Sequence, residues 1–164
     1  MNDQVGQTSE LVVGMDGSSA AAAALNWAAD QSVATGAPIR IVHVWQLGAA
    51  QVESATPSFY EASVADARAR ATRWVQSALQ ERATTVPWVL DVAEGPTGAV
   101  LTERSRHAAA VVLGTGEHHG LRRLLTGSVS HYVLSHALPP VIAVRAAPVL
   151  PRPLVGAHDR VATD

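Results

Sequence analysis

The sequence predicts a doubly wound α/β domain, a parallel sheet with helices packed on both faces. Three observations carry that reading. Short, wholly apolar runs such as Leu11–Met15 and Ala109–Leu113 lack the in-out alternation of a half-exposed sheet and suit strands covered on both sides. Helical segments separate these runs, so five strands alternate with four helices in the order β-α-β-α-β-α-β-α-β. The length of 164 residues suits one domain, which can bury roughly 70% of its unfolded surface without a disulfide or metal staple.

The elements follow in order. Leu11-Val12-Val13-Gly14-Met15 is the first strand. Asp16-Gly17-Ser18-Ser19 comes next, with Ser18 or Ser19 as N-cap of a helix over Ala20 to Thr35. Gly36 stops that helix and Pro38 blocks its continuation. Ile39 to Trp45, IRIVHVW, is a second strand rich in β-branched residues. Gln46 to Ser58 has no clear period and reads as a mobile connection, longer than usual. Phe59 to Ala83 is a long helix, with Ala65, Ala69, Ala71, Trp74, Val75, Ala78 and Leu79 on its inner face. Val86 to Ala93 is a third strand, polar enough to lie near an edge. Gly95-Pro96-Thr97 opens a helix to about His107, with Pro96 near its first turn. Ala109 to Leu113 is the fourth strand, and the loop GTGEHHGLRRLLTGS, Gly114 to Ser128, follows it. Ser128 to Ala137 is the last helix, ended by Leu138-Pro139-Pro140, and Val141 to Val144 is the fifth strand. The organisation expected is a flexible N-terminus (residues 1–9), one domain (10–145) and a loose, proline-containing tail (146–164). Val149-Leu150 and Leu154-Val155 in that tail could instead cover an edge or a partner subunit.

Composition excludes several classes of chemistry. No cysteine is present, which removes disulfides, thiol catalysis and cysteine-ligated zinc and fits a reducing cytoplasm. All 12 basic residues are arginine, so a Walker-type phosphate lysine and a Schiff-base lysine are both excluded. The net charge of −2 suggests neither a nucleic-acid nor a membrane surface. MNDQVGQTSE lacks the basic and apolar regions of a signal peptide, and no apolar run approaches the ~20 residues of a membrane span. A cytoplasmic protein is the expectation. His118 and His119 are adjacent on a loop and form no zincin pattern, while His43 lies inside a buried strand and reads as a satisfied core histidine. No Gly-x-Ser-x-Gly elbow and no acid/base pair of carboxylates is evident. Catalysis is thinly supported by these residues.

Ligands of doubly wound sheets bind outside the carboxyl ends of the strands, where the strand order reverses. The first and fourth strands, the most apolar, are the natural central pair, which brings Asp16 and the Gly114 loop to one crevice. Gly127-Ser128-Val129 would begin a helix whose free N–H groups and positive dipole end favour an anion, with Arg122 and Arg123 nearby. The same Gly-Ser pair could equally be a plain helix cap. Asp16 could accept from ribose hydroxyls or a base N–H, hold a metal, or cap the following helix.

Taken together, LVVGMDGSSAAAAALNWAA, IRIVHVW and AAVVLGTGEHHGLRRLLTGSVSHYVLSHALPPVIAVR resemble the universal stress protein family, over about residues 10 to 145. The resemblance implies a five-stranded parallel sheet in the order 3-2-1-4-5 and a homodimer built through the last strand. One branch of that family binds ATP through a loop of Gly, two residues, Gly, nine residues, Gly, then Ser or Thr. Gly114 fits the first glycine and Gly127-Ser128 the last pair, while Glu117 stands where the second glycine is expected. By the same correspondence Asp16 matches a nucleoside-contacting aspartate, and Val44 the residue whose backbone meets adenine. Val129 follows the Gly-Ser pair, where an N–H meets phosphate, and Gly14 sits where some members have proline.

Glu117 sets the alternatives. A carboxylate there would crowd and repel phosphates, and a positive φ would add roughly 1–2 kcal/mol of strain. Its side chain could turn outward to solvent or Arg122. It could bridge to the phosphates through Mg²⁺ or Mn²⁺, or the loop could take a less charged nucleotide such as AMP or cyclic AMP. The leading expectation is a dimeric stress-response protein that binds an adenine nucleotide, ATP first, with little or no hydrolysis. The alternative is a non-nucleotide universal stress protein acting through protein contacts, its loop disabled by Glu117.

Overall fold

The computed structural model describes residues 10–116 and 128–146. The five strands form one parallel sheet in the order β3-β2-β1-β4-β5, as expected. The central strand, β1 (Leu11–Gly14), is short and pairs with β2 (Ile39–Trp45) on one side and β4 (Ala110–Thr115) on the other. Val12 and Val13 point to opposite faces, and both are completely buried. A two-sided core explains why these runs are apolar throughout.

Helices cover both faces. Helix α1 (Ser19–Thr35) begins where the Ser18 hydroxyl accepts the Ala21 N–H at 3.1 Å, and it ends at Gly36. Its alanines let it lie close to the sheet, with Ala24, Leu25, Ala28 and Ala29 fully buried against Val13, Ile41 and Val112. Helix α3 (Pro57–Leu79) completes that face, and its Val75 and Leu79 join the same core. On the other face, α4 (Thr97–Arg104) and α5 (Ser128–His136) bring Leu101 and Val133 onto Val12, Val42 and Val111.

Several boundaries depart from the sequence expectation. The segment 46–58 is not an unstructured connection. It holds a short helix α2 (Ala49–Ser54), and α3 already begins at Pro57. The signals are caps rather than an apolar period. Gln51 accepts the Gly48 N–H at 2.9 Å, and Thr56 accepts the Phe59 N–H at 3.2 Å with Pro57 behind it. Helix α2 buries no residue, so no periodicity betrays it. In α3 the buried positions are Ala67, Ala71, Val75 and Leu79, a four-residue spacing that leaves Ala65 and Ala69 exposed. The start of α3 is pinned instead by Tyr60, whose hydroxyl donates to Glu94 at 2.7 Å and whose ring packs on Trp45. Helix α3 gives way at Leu79 to a tighter turn over Gln80–Thr84.

Strand β3 (Trp88–Glu94) begins only after Pro87, which has no N–H, although the Pro87 carbonyl accepts the Ile39 N–H at 2.9 Å. It is an edge strand, as its polarity suggested. Helix α4 stops at Arg104, short of His107, and Ser105 closes it by donating to the Thr102 carbonyl at 3.1 Å. Strand β5 (Val141–Arg145) is the opposite edge.

The two kinds of apolar residue should behave differently. Leu25→Ala, at a fully buried position, is expected to cost about 3 kcal/mol. Val52→Ser in α2, at 58% exposure, should change stability by less than about 0.5 kcal/mol. Urea denaturation of the two variants checks both.

Candidate functional site

A crevice of about 210 Å³ opens at the carboxyl ends of β1, β2 and β4. It exists because the central strand stops early. The β1–β2 ladder ends at Gly14 opposite Val42, whereas β2 runs on to Trp45 and β4 to Thr115. Met15, Asp16, Val44 and Gly114 line the resulting notch. The strand order reverses here, since β1 lies between β2 and β4.

Three helices start at its rim. Ser18 and Ala21 of α1, Thr97 of α4, and Val129 and Ser130 of α5 all line the cavity. Helix N-termini present N–H groups and a partial positive charge, so three of them together favour an anionic or strongly accepting ligand. Pro96, the N-cap of α4, makes no side-chain bond to the first turn, so among the described residues those N–H groups have no side-chain cap. Among the described lining residues, Asp16 is the one ionisable group. One of its oxygens accepts the Ser18 N–H at 2.9 Å, so it braces its own turn rather than capping α1. The side chain is exposed, which leaves its second oxygen available to a ligand.

Val44 supplies a second polar feature. The Met15 N–H donates to the Val42 carbonyl at 2.9 Å, so Val42 faces β1. Backbone groups alternate along a strand, so Val44 also turns its N–H and C=O toward β1, just past the end of that strand. Among the described residues no backbone group pairs with either of them. An adjacent donor and acceptor therefore face the crevice at its β2 wall.

Gly114 has a different cause. A Cβ there would stand 2.1 Å from the Ala20 carbonyl carbon and 2.5 Å from the Ala21 nitrogen. The end of β4 lies directly against the first turn of α1, and only glycine admits that approach.

Of the residues expected from the sequence, Gly14, Asp16, Val44, Gly114 and Val129 meet around this one cavity. Ser128 is the first residue of α5, beside Val129, and is not itself part of the lining. Glu117 and Gly127 lie outside the described residues, as do Arg122 and Arg123. Thr97, Leu101, Ser18 and Ser130 also line the cavity, and the sequence marks Ser18 and Thr97 only as helix starts. The rule that ligands sit beyond strand ends could have found Thr97 and Ser18, each of which opens a helix after a strand. His43 also departs from expectation. Its Nδ1 lies 2.9 Å from the Met15 carbonyl, but its buried Nε2 has no partner among the described residues, so the ring is only half satisfied. No group of three or more metal-ligating side chains occurs among the described residues.

Residues 8–145 match the universal stress protein family. The chain belongs to that family. It is 30% identical over 136 residues to universal stress protein Rv2624c of Mycobacterium tuberculosis (strain ATCC 25618 / H37Rv), covering 83% of this chain and 48% of the relative. This chain thus spans about half the length of the curated relatives it matches. Among solved structures it is similar to a universal stress protein in complex with cAMP, at 19% identity and a TM-score of 0.57, covering 87% of this chain and 100% of the other. It is also similar to the universal stress protein from Archaeoglobus fulgidus in complex with dAMP, at 19% identity and a TM-score of 0.59, covering 83% of this chain and 97% of the other. At these identities the structural likenesses show the shared α/β fold. The described residues include no helix long and apolar enough to cross a membrane.

The packing role of Gly114 is separable from any ligand. Gly114→Ala is expected to destabilise the ligand-free protein by at least about 2 kcal/mol, because backbone atoms rather than a flexible side chain must move. That corresponds to a fall in Tm of roughly 4–8 °C for a chain of this size. Calorimetric melting without ligand measures it.

Proposed function

We propose that the crevice binds an adenine nucleotide, ATP first, with little or no hydrolysis, and that the protein acts as a homodimer in a stress response. The observation that carries this reading is the N–H and C=O of Val44, unpaired among the described residues, at the edge of an apolar slot. Adenine offers a ring acceptor beside an amino donor, the complement of a neighbouring backbone donor and acceptor. Val42, Leu101 and Leu113 supply the apolar walls that such a ring needs. Asp16 would accept from the ribose hydroxyls. The first N–H groups of α5 at Ser128, Val129 and Ser130 would meet the phosphates, where Mg²⁺ or Mn²⁺ could bridge. Gly14 would keep the floor of the slot clear. The complexes of related proteins with cAMP and dAMP support this assignment.

No general base stands among the described lining residues apart from Asp16, which is committed to its turn and the sugar. That argues for binding over turnover. Isothermal titration with ATP, AMP and cyclic AMP, with and without Mg²⁺ or Mn²⁺, tests the reading. Wild type should bind, and Asp16→Ala should bind at least about tenfold more weakly with Tm changed by less than about 2 °C. No heat at millimolar nucleotide for any of the three would overturn it.

One observation favours a second reading. Glu117 replaces the glycine that the ATP-binding loop of the family requires. If the loop is disabled, the protein acts through protein contacts instead. Glu117→Gly would then create ATP binding where wild type has none.

The dimer is proposed through β5. The Val111 N–H donates to the Pro140 carbonyl at 2.9 Å, so Ile142 and Val144 face β4, and alternation turns Ala143 and Arg145 to the open edge. Leu134 and Leu138, which shortly precede β5 in the chain, are 44% and 72% exposed, apolar surface that a partner could cover. Ala143→Pro removes an N–H that β4 does not use. It should convert dimer to monomer in sedimentation velocity while the melting transition stays cooperative.

A further inference from the structure

The free N–H of Val44 needs a cause. In a parallel pair, the residue that follows on the same side bonds the next carbonyl of the neighbouring strand. The Met15 N–H already bonds the Val42 carbonyl at 2.9 Å, so the next rung would run from the Val44 N–H to the Met15 carbonyl. That rung is not made. The Met15 carbonyl receives the His43 imidazole instead, with Nδ1 at 2.9 Å. A carbonyl only accepts, so the proton sits on Nδ1.

His43 is held for this task. Its side chain leaves β2 on the face opposite to those of Val42 and Val44, and it is 7% exposed. The ring meets Trp74 of α3 edge to face, with centroids 5.2 Å apart at 85°. Trp74 in turn lies under Gly17, where φ is 84° and a Cβ would stand 2.5 Å from Cε2 of the indole. Trp74 also lines a separate cavity of about 180 Å³, shared with Met15, Gly17 and Ser18. The Asp16–Ser18 turn is thus a thin partition, with the crevice on one side and the His43–Trp74 pair on the other.

We propose that His43 is a positioning residue. Its imidazole occupies the Met15 carbonyl, ends the β1–β2 ladder one rung early, and so keeps the Val44 N–H open to the ligand. Trp74 holds the ring in place and backs the Asp16 turn. The consequence for affinity rests on the adenine-nucleotide reading above, whereas the early end of the ladder does not.

The test has an arm for each. In ligand-free wild type, hydrogen exchange followed by NMR should find the Val44 amide unprotected, between protected amides at His43 and Trp45. In His43→Leu the Met15 carbonyl is released, the extra rung can close, and the Val44 amide should become protected. His43→Asn places an amide donor near the original Nδ1 and should restore the wild-type pattern. With ATP or AMP, His43→Leu should bind about tenfold more weakly and His43→Asn like wild type. A protected Val44 amide in wild type overturns the proposal even if His43→Leu fails to fold. An unchanged Val44 amide in a folded His43→Leu also overturns it. If wild type binds no nucleotide, the reading of the crevice fails, and the exchange pattern still decides the role of His43.

Discussion

The backbone contact at Gly114 sets the geometry of the functional end. The last residues of β4 lie against the first turn of α1 with no space for a methyl group between them. That contact draws the N-terminus of α1, with its Ser18 cap, down onto the point where strand order reverses. It also fixes how far β1 can run, because the chain must leave the strand at Met15 to reach the start of α1. A central strand of 4 residues beside neighbours of 7 and 6 leaves a notch in the sheet. The cavity and the convergence of three helix N-termini follow from that notch, and the proposed role of His43 is to keep the Val44 N–H open within it.

A glycine in a phosphate-loop pattern therefore need not be there for phosphate. Gly114 satisfies the family spacing, and the packing against Ala20 and Ala21 accounts for it without any ligand. The remaining elements of the pattern bear on phosphate more directly, since Ser128 and Val129 open α5 at the rim. A chain could keep Gly114 for its fold after losing nucleotide binding altogether. Evidence for a ligand is better sought at positions that packing does not explain. Val44 is such a position, because a strand backbone with both groups unpaired lowers stability unless water or a ligand completes it.

Much of this was legible in the sequence. Wholly apolar runs located β1 and β4, where two-sided burial leaves no other composition, β-branched residues marked β2, partial polarity marked β3 as an edge, and the punctuation by Gly36, Pro38 and Pro139-Pro140 located helix ends. The meeting of Asp16 with the Gly114 loop followed from topology alone. What was missed has physical reasons. Helix α2 touches no core, so its only signal is the Gly48–Gln51 cap. Helix α3 was placed with too many inner residues because alanine suits both faces of a helix, and packing alone chose Ala67 and Ala71 over Ala65 and Ala69. The bond from His43 to Met15 joins residues 28 apart, and no periodicity encodes it.

The two ends of the crevice differ in what they demand of a ligand. At the β2 end, apolar walls and a paired donor and acceptor ask for a flat, neutral ring with complementary edges, and nothing there responds to phosphate number. At the α5 end, attraction comes from helix N-termini, worth about 0.3–1 kcal/mol each at exposed sites and weakened by salt. Glu117 belongs in sequence to the segment leading to that end. In the proposed complex a carboxylate near the phosphates would oppose each added negative charge, while base and ribose contacts would be unaffected. On the proposed reading, selectivity within the adenine nucleotides would turn on the balance between the α5 dipole and the Glu117 charge, and selectivity for adenine on Val44. The two could then be lost or gained independently, so replacement of one loop glycine would leave the nucleoside half of the proposed site standing.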